Sequence, residues 1–503
     1  MKVLKFGGSS VGDPKRIMNV IKIVKHSITN NKKIAVVFSA FHGVTDELIK
    51  ISNMAASGDS TYFEFFKTIE KNHIIIAKEL LNVKTQSNTL ANIKLNFNEL
   101  EDVLHGVFLI KELSPRTRDF ILSFGERLSS YIISQVLIDN KVDCEYLDSR
   151  QLVKTDENFS AAKVDFISTN RNIIRYFRSH KKLQVITGFI GSTNSNETTT
   201  LGRGGSDYTA SIYASALNAK EIEIWTDVDG VLTADPKKVK KAFSLKNLTY
   251  EEAMELSHFG AKVIHPPTMQ PALDKKIPIR IKNTFNPSFE GTVINGKGGA
   301  NDYLIKGISS IDEISLIRIQ GGGMIGEVGL AQRIFSALGS KKINIILITQ
   351  ASSEHSLCLA ILPNDADSAV KAIKNELHYE INEKKIYEPI VENNLSIIAV
   401  VGENMRNKPG LSGKVFQALG KNGINIVAIA QGSSELNIST VVSKDNVAKA
   451  LNALHDAFFL SITKTVNLFI VGTGLIGGTL LRQITNQTSF LAKEYLLNIK
   501  IIA

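Results

Sequence analysis

Five short motifs in the first part of the chain combine glycine with cationic and acidic side chains. They are KFGGSS from Lys5, SFGER from Ser123, GRGGSD from Gly202, WTDVDG from Trp225 and GAKVIHP from Gly260. Each comes at the end of a predicted strand or the start of a predicted helix, where open α/β sheets bind ligands. Transfer of a phosphoryl group needs charge neutralisation at that group and positioning of the acceptor. The motifs supply both kinds of residue, so they indicate phosphoryl transfer.

The first motif is the candidate phosphate site. Gly7 and Gly8 follow the opening strand and precede a helix predicted to begin near Asp13. Backbone N–H groups freed by two glycines at a helix N-terminus can bind an anion, and Lys5 adds a point charge suited to phosphate. From this motif alone, a plain strand-to-helix turn is an equally good interpretation.

A second glycine pattern, Gly472-x-Gly474-x-x-Gly477, follows a predicted strand and opens a helix, as a dinucleotide-binding fingerprint does. The same pattern occurs at 321–326, so the pattern is weak by itself. The acidic residue that would bind the ribose is expected at the end of the next strand, and the sequence stops in that strand at Ala503. We therefore expect no useful binding of a nicotinamide cofactor by this segment.

Apolar strand-like runs alternate with helical periodicity through roughly the first 295 residues, and the helical pattern is densest between 60 and 140. Such alternation predicts an α/β domain with a mainly parallel sheet. The stretch 286–301, rich in glycine, is interpreted as a loop that closes this domain. The predicted strands are 3–6, 34–38, 183–186, 222–225 and 277–281.

An internal repeat follows this domain. The 33 residues from Gly329 align without gaps to those from Gly410, an offset of 81, and 14 positions are identical. Two copies of one small unit therefore follow each other, each with the pattern strand, glycine-bearing loop, helix, strand, turn, strand.

Composition sets the class of protein. The 503 residues are 43% hydrophobic and 21% charged, typical of a globular chain of about three domains. The net charge of +10 favours anionic partners, but no basic stripe interleaved with aromatics indicates nucleic acid. Two distant cysteines exclude a disulfide scaffold and a four-thiolate zinc site. No signal peptide and no apolar run near ~18 residues is found, so we expect a cytoplasmic protein without membrane contact.

The motifs KFGGSSV, SFGERLSS, GRGGSDYTA, WTDVDGV and ELSHFGAKVIHP, in this order, resemble the aspartate kinase family of amino-acid kinases. The repeat resembles the paired ACT domains of that family, and NLFIVGTGLIGG resembles the opening of homoserine dehydrogenase. The resemblance is thus to the threonine-sensitive bifunctional aspartokinase/homoserine dehydrogenases, cut off early in the second enzyme. It implies an α/β amino-acid-kinase (carbamate-kinase-like) parallel-sheet sandwich, two α+β ACT repeats and a truncated Rossmann βαβ start. The implied domains are 1–298, 306–389, 390–464 and 465–503.

The resemblance implies transfer of the ATP γ-phosphoryl group to the side-chain carboxylate of L-aspartate. This reaction gives 4-phospho-L-aspartate, the first step of threonine, methionine and lysine biosynthesis. The acceptor carboxylate is already ionised near neutral pH, so no general base is required. Mg²⁺ would bridge ATP oxygens, mostly without protein ligands. NAD(P) would bind only to a full-length parent protein.

The family's site residues then fall on matching positions. Lys5 with Gly7 and Gly8 would stabilise the transferring phosphoryl group, while Asp207 would hold the lysine and Lys262 would complete the phosphate clamp. The implied residues for aspartate are Ser39, Thr45, Glu126 for the α-ammonium and Arg203 for the α-carboxylate. The implied residues for ATP are Lys5, Gly7, Gly8, Ser9, Thr226, Asp227, Asp235, Lys237 and Lys262.

Simpler interpretations stay open for several of these residues. Arg203 and Asp207, four apart, could form a local ion pair. Glu126 could pair with Arg127 or cap a helix, and His265 before a proline is interpreted as a turn residue. The sequence departs from the family pattern at two places. Leu232 bears on stacking of the nucleotide base, and residues 41–42 lie in the loop that would contact the substrate.

The repeats imply an amino-acid sensor with threonine favoured over lysine as the effector. Amide side chains can bind a ligand ammonium or hydroxyl group. The implied effector contacts are Asn344, Gln350, Asn425 and Gln431. ACT units usually pair across subunits, so the resemblance implies a homo-oligomer. Two alternatives remain: an amino-acid kinase with another acceptor (glutamate, acetylglutamate or carbamate), and an inactive amino-acid-binding regulator.

Overall fold

The structure, a computed structural model, describes residues 1–30, 33–260, 264–296, 303–350, 355–403, 405, 408–431, 436–460, 464–472, 474–494 and 497–501. The chain forms two compact units. The first comprises Met1–Leu232 and Ser244–Asp302, and the second comprises Thr233–Phe243 and Tyr303–Ala503.

The first unit is built on an eight-stranded sheet with the order β3-β4-β2-β1-β7-β9-β10-β8. The predicted mainly parallel sheet is confirmed, since only the β9–β10 pair is antiparallel. Both faces of the central strands are buried, as expected where helices cover a parallel sheet on either side. The strands are β1 (Lys2–Phe6), β2 (Ile34–Phe38), β3 (Cys144–Leu147), β4 (Leu183–Thr187), β7 (Glu221–Thr226), β8 (Asn247–Thr249), β9 (Ile279–Asn283) and β10 (Thr292–Asn295), with β5 (Ile190–Ser192) and β6 (Thr198–Thr200) as a separate hairpin.

One sequence prediction for this sheet is wrong. The stretch 286–301, interpreted as a loop, contains β10, which pairs with β9 and β8. A glycine at 291 and others after 295 hide a strand of only four residues. Gly291 itself has φ +75, and a Cβ there would lie 1.9 Å from the carbonyl oxygen of Ile281. The glycine therefore serves the tight return between two strands.

Nine helices are described in the first unit. The dense helical region predicted between 60 and 140 is confirmed as α3, α4 and α5. Helix α5 starts where the sequence favours it, because Ser114 accepts a hydrogen bond from the N–H of Thr117 and a proline occupies the first helical position. The helices are α1 (Pro14–Asn30), α2 (Val44–Ala56), α3 (Tyr62–Leu80), α4 (Val83–Ile110), α5 (Pro115–Asp139), α6 (Phe166–Ser179), α7 (Gly205–Ala216), α8 (Tyr250–His258) and α9 (Pro266–Asp274).

The second unit holds the two repeats on one antiparallel sheet with the order β12-β13-β11-β14-β16-β15. The strand–helix–strand–strand pattern is present in both copies, in agreement with the prediction. The edge strands β12 and β15 also approach each other, with Cα atoms within 8 Å. The elements are β11 (Gly307–Gln320), α10 (Leu330–Ser340), β12 (Leu347–Gln350), β13 (Ser356–Ile361), α11 (Ala366–Glu376), α12 (His378–Asn382), β14 (Ile390–Val401), α13 (Leu411–Lys421), β15 (Ala428–Gln431), β16 (Asn437–Ser443) and α14 (Val447–His455).

The second unit also contains a segment from the end of the N-terminal half of the chain. In Thr233–Phe243, the side chains of Ala234 and Val239 pack in the hydrophobic core of the second repeat. The hydroxyl of Thr233 lies 3.0 Å from Nε2 of His455, and its carbonyl accepts from the N–H of Ile308 at 2.8 Å. This segment is thus fixed to the repeats by both apolar packing and hydrogen bonds.

The last described elements are β17 (Lys464–Leu468), α15 (Leu475–Glu494) and β18 (Leu497–Ile501), and the two strands pair in parallel. In the glycine pattern between β17 and α15, Gly472 has φ +96. A Cβ on Gly477 would lie 2.1 Å from the carbonyl oxygen of Gly472. Both positions thus require glycine. Among the described helices, none is long and apolar enough to span a membrane.

Candidate active site

A glycine turn follows strand β1. The N–H of Gly7 donates to the carbonyl of Trp225 at 3.2 Å, and the turn then continues as a short 3₁₀ helix, Gly8–Val11. A Cβ on Gly8 would lie 3.1 Å from the carbonyl oxygen of Ala40, so glycine allows a close backbone approach here. Ser10 Oγ contacts the Trp225 carbonyl at 3.2 Å and Thr284 Oγ1 at 2.7 Å. These bonds hold the turn against the ends of β7 and β9.

Lys5 and Asp207 meet beside this turn. The ammonium of Lys5, at the end of β1, lies 2.7 Å from Oδ1 of Asp207, and the side chains are only 11% and 14% exposed. Asp207 belongs to the first turn of α7, which begins after Gly204 at φ +71. The structure therefore joins two residues that are distant in sequence. Asp207 has Lys5 as its ion-pair partner, rather than Arg203 as the simpler interpretation suggested.

Glu126 is the most unusual carboxylate near these residues. It is 3% exposed, and its Oε2 has no hydrogen-bond partner among the described residues. Burial raises the pKa of Glu126 to about 8, although the N–H of Ala40 and the charge of Lys5 act in the opposite direction. Arg127 does not pair with it: its guanidinium binds Glu99 at 3.0 Å instead. A buried acceptor without a partner is costly unless a ligand donor reaches it.

Helix α5, which carries Glu126, also holds the loop that follows β2. Ser129 Oγ donates to the carbonyl of Ser39 at 2.8 Å, and Gly125 packs closely against the Cβ of Ala40. Thr45 lies in the first turn of α2, directly after Gly43 at φ +80. Of the two predicted substrate residues, Ser39 is thus held by the same helix that carries Glu126, and Thr45 is positioned by the start of α2.

Arg203 is exposed and lies in a turn where Gly202 and Gly204 both have positive φ. A Cβ on Gly204 would lie 2.8 Å from the Cβ of His265, which is the N-cap of α9. Burial, followed by the charge of Arg203, lowers the pKa of His265, and its Nδ1 is buried without a partner among the described residues. His265 is therefore a turn residue, as interpreted, but one whose position beside the GRGGSD turn the sequence did not reveal.

Asp119 is a second residue that sequence reasoning missed. It is fully buried near the start of α5 and accepts hydrogen bonds from the N–H groups of Ser160 and Thr200, both at 2.8 Å. The Thr200 hydroxyl adds a third bond at 2.9 Å. Since β6 ends at Thr200, Asp119 fixes the strand that leads into the Arg203 turn. Its seven-residue spacing from Glu126, about two helical turns, was the available signal.

The residues predicted to bind the nucleotide lie in two places. Thr226 ends β7 and donates to Oδ1 of Asp227 at 3.0 Å, and both are accessible. Asp235 and Lys237 belong to the second unit, where the N–H of Lys237 donates to the Asp235 carboxylate at 2.9 Å. Lys262 lies outside the described residues.

The predicted effector residues are all exposed and lie in or just before the edge strands of the second unit. Gln350 ends β12 and Gln431 ends β15, the two strands that approach each other. Asn344 and Asn425 precede these strands, and Ser412 donates to Gln431 at 3.3 Å. The structure thus brings together the two edge strands that carry equivalent residues of the two repeats.

Comparison with known proteins identifies both parts of the chain. The amino acid kinase family matches residues 1–283, and the ACT domain matches 317–377 and 398–458. The chain is 37% identical over 99% of its length to the chloroplastic bifunctional aspartokinase/homoserine dehydrogenase 1 of Arabidopsis thaliana, and covers 55% of that protein. The chain is also 35% identical over its whole length to the bifunctional aspartokinase/homoserine dehydrogenase of Buchnera aphidicola, and it covers 62% of that protein. The chain thus spans little more than half the length of these relatives.

Shorter relatives are covered more completely. The chain is 35% identical to the chloroplastic aspartokinase 3 of Arabidopsis thaliana and covers 81% of it. Escherichia coli aspartokinase III, solved with aspartate and ADP in the R-state, has a TM-score of 0.78 at 28% identity, with 91% of this chain and all of that one covered. The aspartate kinase of Clostridium acetobutylicum has a TM-score of 0.73 at 27% identity, with the same coverage. On these similarities, the chain belongs to the aspartokinases of the amino acid kinase family.

Proposed function

We propose that this chain transfers the γ-phosphoryl group of MgATP to the side-chain carboxylate of L-aspartate. The observation that carries the proposal is Glu126, a buried carboxylate with a partnerless oxygen close enough to Lys5 for their charges to interact. An acceptor with an ammonium group satisfies that oxygen, while Lys5 binds phosphate. The similar aspartokinase III was solved with aspartate and ADP, the acceptor and leaving nucleotide of this reaction.

In the proposed reaction, an oxygen of the aspartate side chain attacks the γ-phosphorus and the bond to the β,γ-bridging oxygen breaks, which releases ADP. No proton has to move, because the acceptor is ionised at neutral pH. Lys5 and the N–H groups of the glycine turn stabilise the charge on the transferring group. Asp207 orients Lys5, and Lys262 would complete the clamp by resemblance. Arg203 would bind the α-carboxylate with two parallel hydrogen bonds.

The donor set indicates how Mg²⁺ would bind. Within the described residues, no group of three or more His, Cys, Asp or Glu side chains is placed to hold a metal ion. Mg²⁺ readily keeps its waters and binds through substrate phosphates with few protein ligands. We therefore propose that the ion enters with the nucleotide, with Asp227 as an accessible carboxylate near it.

Threonine regulation is the second part of the proposal. Gln350 and Gln431 offer amide groups from two neighbouring edge strands, which suits the hydroxyl and ammonium groups of threonine. The segment with Asp235 and Lys237 belongs to the same compact unit as these strands, and its Ala234 and Val239 pack in the core of the second repeat. An effector bound at the second repeat can therefore act on the nucleotide segment through that core. A related aspartokinase III was solved with lysine, which makes lysine the competing effector. By resemblance, the ACT repeats would also form the homo-oligomer.

The parent protein would carry a second activity. The relatives that cover the chain end to end are bifunctional, and the glycine geometry between β17 and α15 suits a dinucleotide. We propose that NAD(P) and homoserine dehydrogenase activity belong to the longer protein.

The testing experiment measures ADP release from MgATP with L-aspartate, in the presence of L-threonine, of L-lysine or of neither. We expect turnover with aspartate that threonine suppresses. Turnover that only lysine suppresses would refute threonine as the effector but support aspartate phosphorylation. Turnover only with glutamate, acetylglutamate or carbamate would refute aspartate as the acceptor. Threonine binding without any turnover would identify an inactive regulator.

A further inference from the structure

A cavity of about 510 Å³ lies on the sheet of the first unit, between α1 and the face formed by β1, β7 and β9. This volume is within the usual range of small-molecule sites. None of its lining residues is among those predicted for catalysis, aspartate or nucleotide. The cavity is therefore separate from the active site described above.

The charges around the cavity do not balance. Lys2 bonds Glu221 at 2.8 Å and Glu223 at 2.6 Å, and Arg280 bonds Glu221 at 2.7 Å, so these four groups neutralise one another. Lys282 has no carboxylate within 4 Å in the described part of the chain. Burial lowers the pKa of Lys282, and the charges of Arg280 and Lys2 add to this, while the charges of Glu223 and Glu221 act in the opposite direction. A partly buried ammonium group in these surroundings favours an anion.

Lys22 supplies a second positive charge from α1. It lines the cavity, is exposed, and has no carboxylate within 4 Å among the residues described. Two aromatic residues also line the cavity: Trp225, which is only 3% exposed and lies beside Lys282, and Phe285, whose ring is half-exposed. The indole is held in place because its N–H donates to Glu223 at 3.1 Å, and the ammonium of Lys282 lies 4.7 Å from the ring centroid. Two cations without a carboxylate partner among the described residues thus line the cavity together with the exposed ring of Phe285.

We propose that this cavity binds a small organic anion whose carboxylate or phosphate group contacts Lys22 and Lys282 and whose planar ring lies against the exposed ring of Phe285. The two anionic groups share the chemistry that the lysines recognise, and the titration below separates them. A charge-assisted bond to each lysine and stacking on an aromatic wall supply both affinity and orientation.

The walls of this cavity also support the glycine turn. Thr284 lines the cavity and bonds Ser10 of the turn at 2.7 Å. The ring of Phe285 stacks under the guanidinium of Arg16 at 5.2 Å, and Arg16 donates to the carbonyl of Ser9 at 2.9 Å. A ligand that packs against Thr284 and Phe285 therefore restrains the turn, and we expect it to lower the KM for MgATP.

The test uses the fluorescence of Trp225, the only tryptophan of the chain. Phenyl phosphate, benzoate, inorganic phosphate and benzylamine are titrated into the full chain, with and without saturating MgADP. We expect a saturable change with phenyl phosphate and benzoate, a weaker one with inorganic phosphate and none with benzylamine. The tighter of the first two identifies the anionic group. A signal that MgADP abolishes would assign the binding to the active site and overturn the proposal.

Variants of the two lysines complete the test. Lys22→Met and Lys282→Met should each weaken binding about tenfold, and Lys282→Arg should restore it. Lys25→Met, which removes the same charge from an exposed position of α1 outside the cavity, is the matched control. Equal affinity in Lys22→Met, Lys282→Met and wild type would overturn the site. Benzoate binding without a lower KM for MgATP would overturn its coupling to the glycine turn.

Discussion

The substitution Glu126→Gln tests the proposed acceptor site most directly. It keeps the shape of the side chain but removes the charge that would bind the α-ammonium of aspartate. In the free enzyme the pKa of Glu126 is raised to about 8 by burial, so at pH 7 only about one-tenth of the molecules carry the ionised form. Ionising it there costs about 1.4 kcal/mol. The wild-type kcat/KM for aspartate should therefore rise about tenfold as pH increases from 7 to above 8.

The effect of the substitution should depend on pH in the same way. Loss of one partner from a buried charged pair costs about 3 kcal/mol, or about 150-fold in kcat/KM, where the wild-type carboxylate is fully ionised. At pH 7 the wild type already bears the ionisation cost, so the expected loss is only about 15-fold. The assay is ADP release at limiting aspartate, measured from about pH 6 to about pH 8.5.

Two controls separate this effect from damage to the fold. Because the folded-state pKa of Glu126 is raised above its ordinary value near 4.5, ionisation destabilises the fold as pH rises towards 8. The E126Q enzyme should therefore be at least as stable as wild type at pH 8. Glu99→Gln, which removes an exposed carboxylate paired with Arg127, should change kcat/KM little. Succinate, an acceptor without the ammonium group, should be used equally by wild type and by E126Q.

The refuting result is a pH-independent loss. If E126Q lowers kcat/KM for aspartate equally at pH 6.5 and pH 8.5, or equally for succinate, then Glu126 does not bind the ammonium group as an ionised carboxylate. A wild-type profile that is flat between these values would have the same meaning.

Three further outcomes are expected. Lys5→Met should lower kcat about 10²- to 10³-fold. Because Asp207 acts through Lys5, the double variant Lys5→Met/Asp207→Asn should have nearly the same kcat as Lys5→Met, and additive losses of activation free energy would contradict this role. Gln350→Ala and Gln431→Ala should each raise the threonine concentration for half-inhibition about 5- to 150-fold at unchanged uninhibited kcat, and unchanged inhibition would refute the effector site. Burial lowers the pKa of His73 to about 4, so the free energy of unfolding should fall by up to about 3 kcal/mol as pH decreases from about 6.5 to about 4. His73→Phe should remove this pH dependence, measured by urea unfolding. A loss of stability that persists in the variant would show that other groups cause it.

The sheet was predictable where its strands are long and apolar. The run Ile34–Phe38 is a strand with the bounds that the sequence indicated, because it is buried on both faces and so has no polar interruption. Strand β10 was hidden by its glycine-rich flanks, and β3 is only four residues with half-buried Glu145 and Tyr146 at its centre. Strands of only four residues carry too few apolar residues to be distinguished from loops.

The candidate site was predictable in its residue types and not in its contacts. Spacing alone pointed to Lys5, Gly7 and Gly8, since they adjoin one strand and one helix start; the other roles came from the family resemblance. The Lys5–Asp207 ion pair joins β1 to α7, and it depends on the packing of α7 against β1 and the neighbouring strands β2 and β7. The partnerless oxygen of Glu126 likewise depends on how α5 packs against the loop after β2.

The membership of Thr233–Phe243 in the second unit has no signal in the sequence, because its polar, lysine-rich composition resembles an exposed turn. Its apolar residues are few, yet Ala234 and Val239 are 5% and 1% exposed in the core of the second repeat. The chain leaves the first unit after Leu232 and re-enters it at Ser244, and these two residues pair with each other. The segment that holds Asp235 is therefore part of the packed core of the second repeat. Under the proposed function, an effector bound at the second repeat acts on Asp235 and Lys237 through this core, so the regulatory repeat needs no catalytic residue of its own.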